Sequence, residues 1–119
     1  GHITTFGGHP TSCAAALATI NELKKLKIID CINNKRKIFT SHLIHSKIKN
    51  IHGTGLMIAI ELENEEYCQH IVKKLLKNGV ITFYFLFDKK NIRISPPLTI
   101  SENEIKQACS IILKTLDKY

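Results

Sequence analysis

Four stretches of the chain carry apolar residues at helical spacing, and three carry the denser apolar runs of short strands. Cys13, Ala16, Leu17, Ile20, Leu23 and Leu26 fall on one face of a helix, with Asn21, Glu22, Lys24, Lys25 and Lys27 elsewhere on the wheel. That helix is expected to begin at about Pro10, whose missing N–H suits the first helical position. A second helix is expected from about Asp30 to Lys49, setting Ile32, Phe39, Leu43 and Ile44 against Lys35, Arg36, Lys37, Lys47 and Lys49 in a less regular pattern. Ile51-His52-Gly53-Thr54-Gly55 follows, its two glycines permitting a tight turn or a close backbone approach. Leu56-Met57-Ile58-Ala59-Ile60-Glu61-Leu62 then reads as a buried strand.

The second half is written more regularly. Asn64 can cap a third helix with Glu65 and Glu66 in its first turn and Lys73, Lys74 and Lys77 near its end, which complements the helix dipole. Cys68, Ile71, Val72, Leu75 and Leu76 form its stripe, and Gly79 stops it. Ile81 to Phe87 supplies a second strand, Asp88-Lys89-Lys90-Asn91 a turn, and Ile92-Arg93-Ile94 a third strand. Ser101-Glu102-Asn103-Glu104 is a capping box before a last helix with Ile105, Ala108, Cys109, Ile112, Leu113 and Leu116 inward. The order α-α-β-α-β-β-α predicts an α+β domain, with a short antiparallel three-stranded sheet covered by helices.

Composition narrows what such a domain does. A chain of 119 residues can bury one ordinary core. Its formal net charge of +7 comes from lysines spread over every helix, with Arg36 and Arg93 the only arginines. Aromatic residues do not alternate with those lysines as a stacking platform requires, so solvated helix faces explain the charge and no nucleic-acid partner is expected. No apolar run nears the ~20 residues that cross a bilayer, and no charged leader precedes one, so no membrane partner is expected. Cys13, Cys31, Cys68 and Cys109 lack C-x-x-C spacing and read as small buried hydrophobes in a reducing, cytoplasmic setting. His42 and His45 lie three apart on the expected second helix, without a carboxylate or cysteine to complete a metal site, so none is expected.

Two places carry chemistry. Thr4-Thr5-Phe6-Gly7-Gly8-His9-Pro10 runs two hydroxyls and two glycines into a helix start, which makes either a capped surface turn or a site for an anion. Arg93 stands in the middle of an apolar strand, immediately before Ser95-Pro96-Pro97. A guanidinium is costly to bury unpaired, so Arg93 is expected to face water or meet an anion, and the prolines fix the strand's exit. The chain opens on Gly1, three residues before the first of these places, and is expected to be a fragment of a longer protein or a processed piece.

Together these stretches are recognisable. His2 to Pro10 with Cys13-Ala14-Ala15-Ala16 resembles the segment opening the C-terminal part of class III aminotransferases, the ornithine and acetylornithine aminotransferase group. Gly53-Thr54-Gly55-Leu56 with Met57 to Leu62 is similar to that family's Gly-x-Gly-Leu strand, and Arg93-Ile94-Ser95-Pro96-Pro97-Leu98 to its Arg-x-x-Pro-Pro-Leu element. The resemblance spans essentially the whole chain. It implies a pyridoxal 5'-phosphate enzyme of fold type I, with residues 1–28 the end of the large cofactor-binding domain and its linking helix and residues 29–119 the small C-terminal domain.

It also implies roles. Thr5, with Thr4, would serve the cofactor phosphate of the neighbouring subunit, completing the active site across a homodimer. Arg93 would grip the α-carboxylate of an amino acid whose amino group passes to a 2-oxo acid. The Schiff-base lysine and the aspartate on the pyridine nitrogen lie upstream of the matching region, so no catalytic residue falls in this chain and it should not transaminate alone. His9 stands where the family usually has asparagine and His52 where it often has arginine, departures that either tune the site or have only a packing or surface role. Racemases, mutases and decarboxylases of the same class are the alternative activities, and a basic binding module without catalysis is the alternative of a different kind.

Overall fold

The computed structural model describes residues 3–119 and forms two compact units, one ending at Cys31 and the other spanning Ile32–Tyr119. His2, the first residue of the opening motif, lies outside the described residues. In the first unit α1 (Pro10–Lys25) starts on Pro10 as the sequence predicts and ends at a C-cap on Leu26. None of its residues is buried: Leu17, Ile20 and Leu26 are 60%, 49% and 51% exposed. Cys13 on this helix is exposed, and so is Cys31 on α2 (Ile28–His42). The expectation that all four cysteines are buried therefore fails for these two, because among the described residues no apolar layer covers their side of either helix. Cys68 and Cys109 are buried.

The Ile32–Tyr119 unit holds the core. α2 stops at His42, short of the expected Lys49, and the chain turns there instead. The His45 ring is the reason: Nδ1 accepts the backbone N–H of Lys47 (3.1 Å) while Nε2 donates to Asp117 Oδ1 (3.0 Å). Phe39 and Leu43 still reach the core, but Ile44 turns outward and is 77% exposed.

The sheet has four antiparallel strands where three are expected, in the order β1-β2-β4-β3. The additional strand is β1 (Asn50–Thr54), the stretch expected as a turn, paired with β2 (Met57–Glu61). A two-residue connection, Gly55-Leu56, joins them. Gly53 makes the close approach possible: its φ is +109° and a Cβ there would lie 2.0 Å from the Met57 carbonyl oxygen. β4 (Asn91–Ile94) lies on the other side of β2, and β3 (Phe83–Tyr84) is a two-residue edge strand rather than the full Ile81–Phe87 run.

Helices cover one face. Ile58, Ile60, Ile92 and Ile94 point into a core with Cys68, Ile71 and Leu75 of α3 (Glu65–Lys77) and Ile105, Cys109, Ile112 and Leu116 of α4 (Glu102–Lys118). Both helices begin on the caps read from the sequence. The Asn64 side chain accepts the N–H of Tyr67, and Ser101 and Glu104 complete the reciprocal capping box. Leu76, expected in the α3 stripe, is 59% exposed. The α+β class, with a small antiparallel sheet under helices, stands.

Candidate functional site

The opening corner is a tight turn. Gly7 donates its N–H to the Thr4 carbonyl (3.3 Å) and His9 donates to the Phe6 carbonyl (3.1 Å). Thr4 and Thr5 are exposed, and among the described residues neither hydroxyl has a partner. His9 occupies the N-cap position of α1 without a side-chain cap hydrogen bond, and the first turn of α1 holds no acidic residue. Cys13 donates to the His9 carbonyl (2.9 Å), leaving the N–H groups of Thr11 and Ser12 free. Unpartnered hydroxyls, amides without a helical partner and the positive end of an uncapped helix are each groups of the kind that attract an anion.

Arg93 belongs to the other unit and stands on the sheet face that no helix covers. The strand registers pair His52 with Ala59, Ala59 with Arg93, and Arg93 with Phe83, so these four residues form one row across all four strands. Arg93 is exposed, the outcome the sequence left open between water and an anion. Among the described residues its guanidinium has no ion pair, and the Phe83 ring stands beside it, with Cζ 5.9 Å from the ring centroid. It stands on the rim of a cleft of about 540 Å³ whose walls include Val80, Thr82, Pro97 and Ile111.

Two other basic side chains of this sheet, Lys90 and His52, are paired. Glu61 accepts from Lys90 (2.7 Å) and from His52 Nε2 (3.0 Å), and Lys90 followed by His52 holds its carboxyl below the ordinary 4.5. His52 is therefore tied to a carboxylate, whereas Arg93 keeps its donors. His42 and His45 do not meet on one helix: His42 Nδ1 bonds the Ile38 carbonyl (2.9 Å) and His45 bonds Asp117. Sequence reasoning missed Phe83, because its partnership with Arg93 depends on a strand register that the irregular run from Ile81 to Phe87 does not fix.

The aminotransferase class-III family model matches residues 1–116, and the chain belongs to that family. It is 34% identical over 116 residues to the acetylornithine aminotransferase of Caldanaerobacter subterraneus subsp. tengcongensis, covering 93% of this chain and 29% of that protein. The crystal structure of the acetylornithine aminotransferase from Elizabethkingia anophelis superposes with a TM-score of 0.89 at 28% identity, over 100% of this chain and 33% of that one. The ornithine aminotransferase of Toxoplasma gondii, with PLP at partial occupancy in its active site, matches with a TM-score of 0.86 at 30% identity, over 98% of this chain and 29% of that one. The chain thus spans about 29% of the length of the curated relative.

Proposed function

We propose that this chain is the C-terminal part of a pyridoxal 5'-phosphate-dependent aminotransferase that moves an amino group from an amino acid to a 2-oxo acid in the cytoplasm. The observation that carries the reading is Arg93: an exposed guanidinium with free donors at the rim of a cleft, in a chain of the class III family. A planar guanidinium meets a carboxylate through two parallel hydrogen bonds, which fixes the orientation of an amino acid as well as its position. Arg93 therefore binds the substrate α-carboxylate. Thr5, assisted by Thr4, donates its hydroxyl to the cofactor phosphate in the neighbouring subunit of a homodimer, and the free end of α1 adds its partial positive charge. The bound cofactor supplies the electron sink for the transfer.

On this reading residues 1–28 are the end of the large domain with its linking helix, and residues 29–119 are the small domain. The lysine that carries the cofactor lies outside this chain, which by itself transfers no amino group. The test uses the complete protein that carries this segment, supplied with a ¹⁵N-labelled amino acid and an unlabelled 2-oxo acid. Label recovered on the 2-oxo acid is the expected result; label retained on the donor overturns the reading. Thr5→Val is expected to release pyridoxal phosphate more readily on dialysis.

A further inference from the structure

We propose that Phe83 is a positioning residue for Arg93, its ring standing beside the guanidinium (Cζ 5.9 Å from the ring centroid) and restraining it while leaving its N–H donors free for a carboxylate. The inference rests on the carboxylate-binding reading of Arg93 and deepens it. Side chains of exposed arginines sample many rotamers, and each must be given up when a ligand is held bidentately. A neighbouring carboxylate would restrain the side chain but would also occupy its donors. An aromatic face restrains it without that loss, because the ring contacts the flat face of the cation and leaves the in-plane N–H groups available.

The backbone places the ring for this task. Phe83 and Arg93 are directly opposed in the β3–β4 register, so the two side chains leave the same face of the sheet side by side. β3 has only two residues, yet it is fastened on both sides of Phe83. The Thr82 hydroxyl donates to the Arg93 carbonyl, and the Phe85 N–H donates to the Asn91 carbonyl (3.2 Å). Phe83 nevertheless remains 58% exposed, so its ring is not held there by the core. The other basic side chains along this sheet bond elsewhere: Lys90 and His52 to Glu61, and Lys89 to Glu65. Arg93 instead stands beside a ring, that of Phe83.

The experiment has two readouts on two forms of the protein. In the 119-residue chain, the Arg93 side-chain Nε–Hε signal is followed by NMR in Phe83→Leu and Phe83→Trp. A ring over the guanidinium shifts that proton upfield, so the leucine variant is expected to lose the shift and the tryptophan variant to keep it. In the complete protein that carries this segment, Phe83→Leu is expected to raise KM for the amino acid about two- to fivefold with kcat unchanged, and Phe83→Trp to restore it. Thr82→Val, which releases the edge strand without touching the ring, is expected to raise KM in the same direction and guards against a folding defect in the leucine variant. Arg93→Ala separates the two claims: unchanged KM there overturns the carboxylate reading itself. A raised KM in Arg93→Ala, with Phe83→Leu matching the parent in both the Nε–Hε shift and KM, overturns the positioning role alone.

Discussion

Helix α4 buries Ile105, Cys109, Ile112, Thr115 and Leu116, whereas α1, almost as long and with its apolar residues at the same spacing, buries none. The two helices differ in what stands opposite them. α4 lies over the covered face of the sheet, with α3 beside it. Among the described residues α1 has no comparable layer, and Leu17, Ile20 and Leu26 are left in water. An apolar period thus states which face of a helix requires cover, and only the tertiary structure supplies it.

Thiol chemistry exposes this contrast most strongly. Burial pushes the Cys68 and Cys109 thiols from 9.0 up to about 11, which leaves about a hundredfold less thiolate at a given pH, and their access to reagent requires the core to open. Cys13 and Cys31 are exposed. Iodoacetamide followed by mass spectrometry is expected to label Cys13 and Cys31 on the order of a thousandfold faster than the other pair, with all four equal in denaturant. Equal native rates at Cys13 and Cys109 would mean that α1 is packed as α4 is.

Core truncations give the next largest effect. Ile60→Ala or Ile112→Ala removes a fully buried side chain from the sheet–helix core and is expected to cost about 2–5 kcal/mol in urea unfolding followed by circular dichroism. Ile20→Ala on α1 removes the same group from a half-exposed site and is expected to change stability by about 0.5 kcal/mol or less. A loss above about 2 kcal/mol at Ile20 would erase the distinction between the helices.

How much of this was legible in the sequence follows the same line between local and distant interactions. The caps of α3 and α4 were readable because Asn64 and Ser101 bond amides three residues away. Arg93 was readable as a site because one charge interrupts an alternation of isoleucines. β1 was not, since Ile51 is its one apolar inward residue and the strand owes its existence to β2 across Gly55-Leu56. The end of α2 was hidden for a similar reason, as the His45 ring answers to Asp117 seventy-two residues away. Phe83 was visible as an aromatic residue but not as the neighbour of Arg93, because that pairing is a matter of register.

The helix entrances bring the comparison down to single hydrogen bonds. Ser101→Ala removes the hydroxyl that accepts the Glu104 N–H and donates to the Glu104 carboxylate, while the backbone N–H of residue 101 keeps its bond to Glu104, an expected loss of about 1 kcal/mol. His9→Ala removes no cap bond from α1, because the imidazole makes none, and is expected to leave stability within about 0.5 kcal/mol. His9→Asp goes the other way, adding an acceptor for the free amides of Thr11 and Ser12 and a negative charge at the positive end of the helix. It should raise the helicity of α1 in circular dichroism by a small increment. The same charge would repel a phosphate, so pyridoxal phosphate retention in the complete protein should fall in His9→Asp while it holds in His9→Ala. Helicity and retention rising together in His9→Asp would show that the entrance of α1 takes no anion, and would leave Thr4 and Thr5 as residues of an ordinary surface turn.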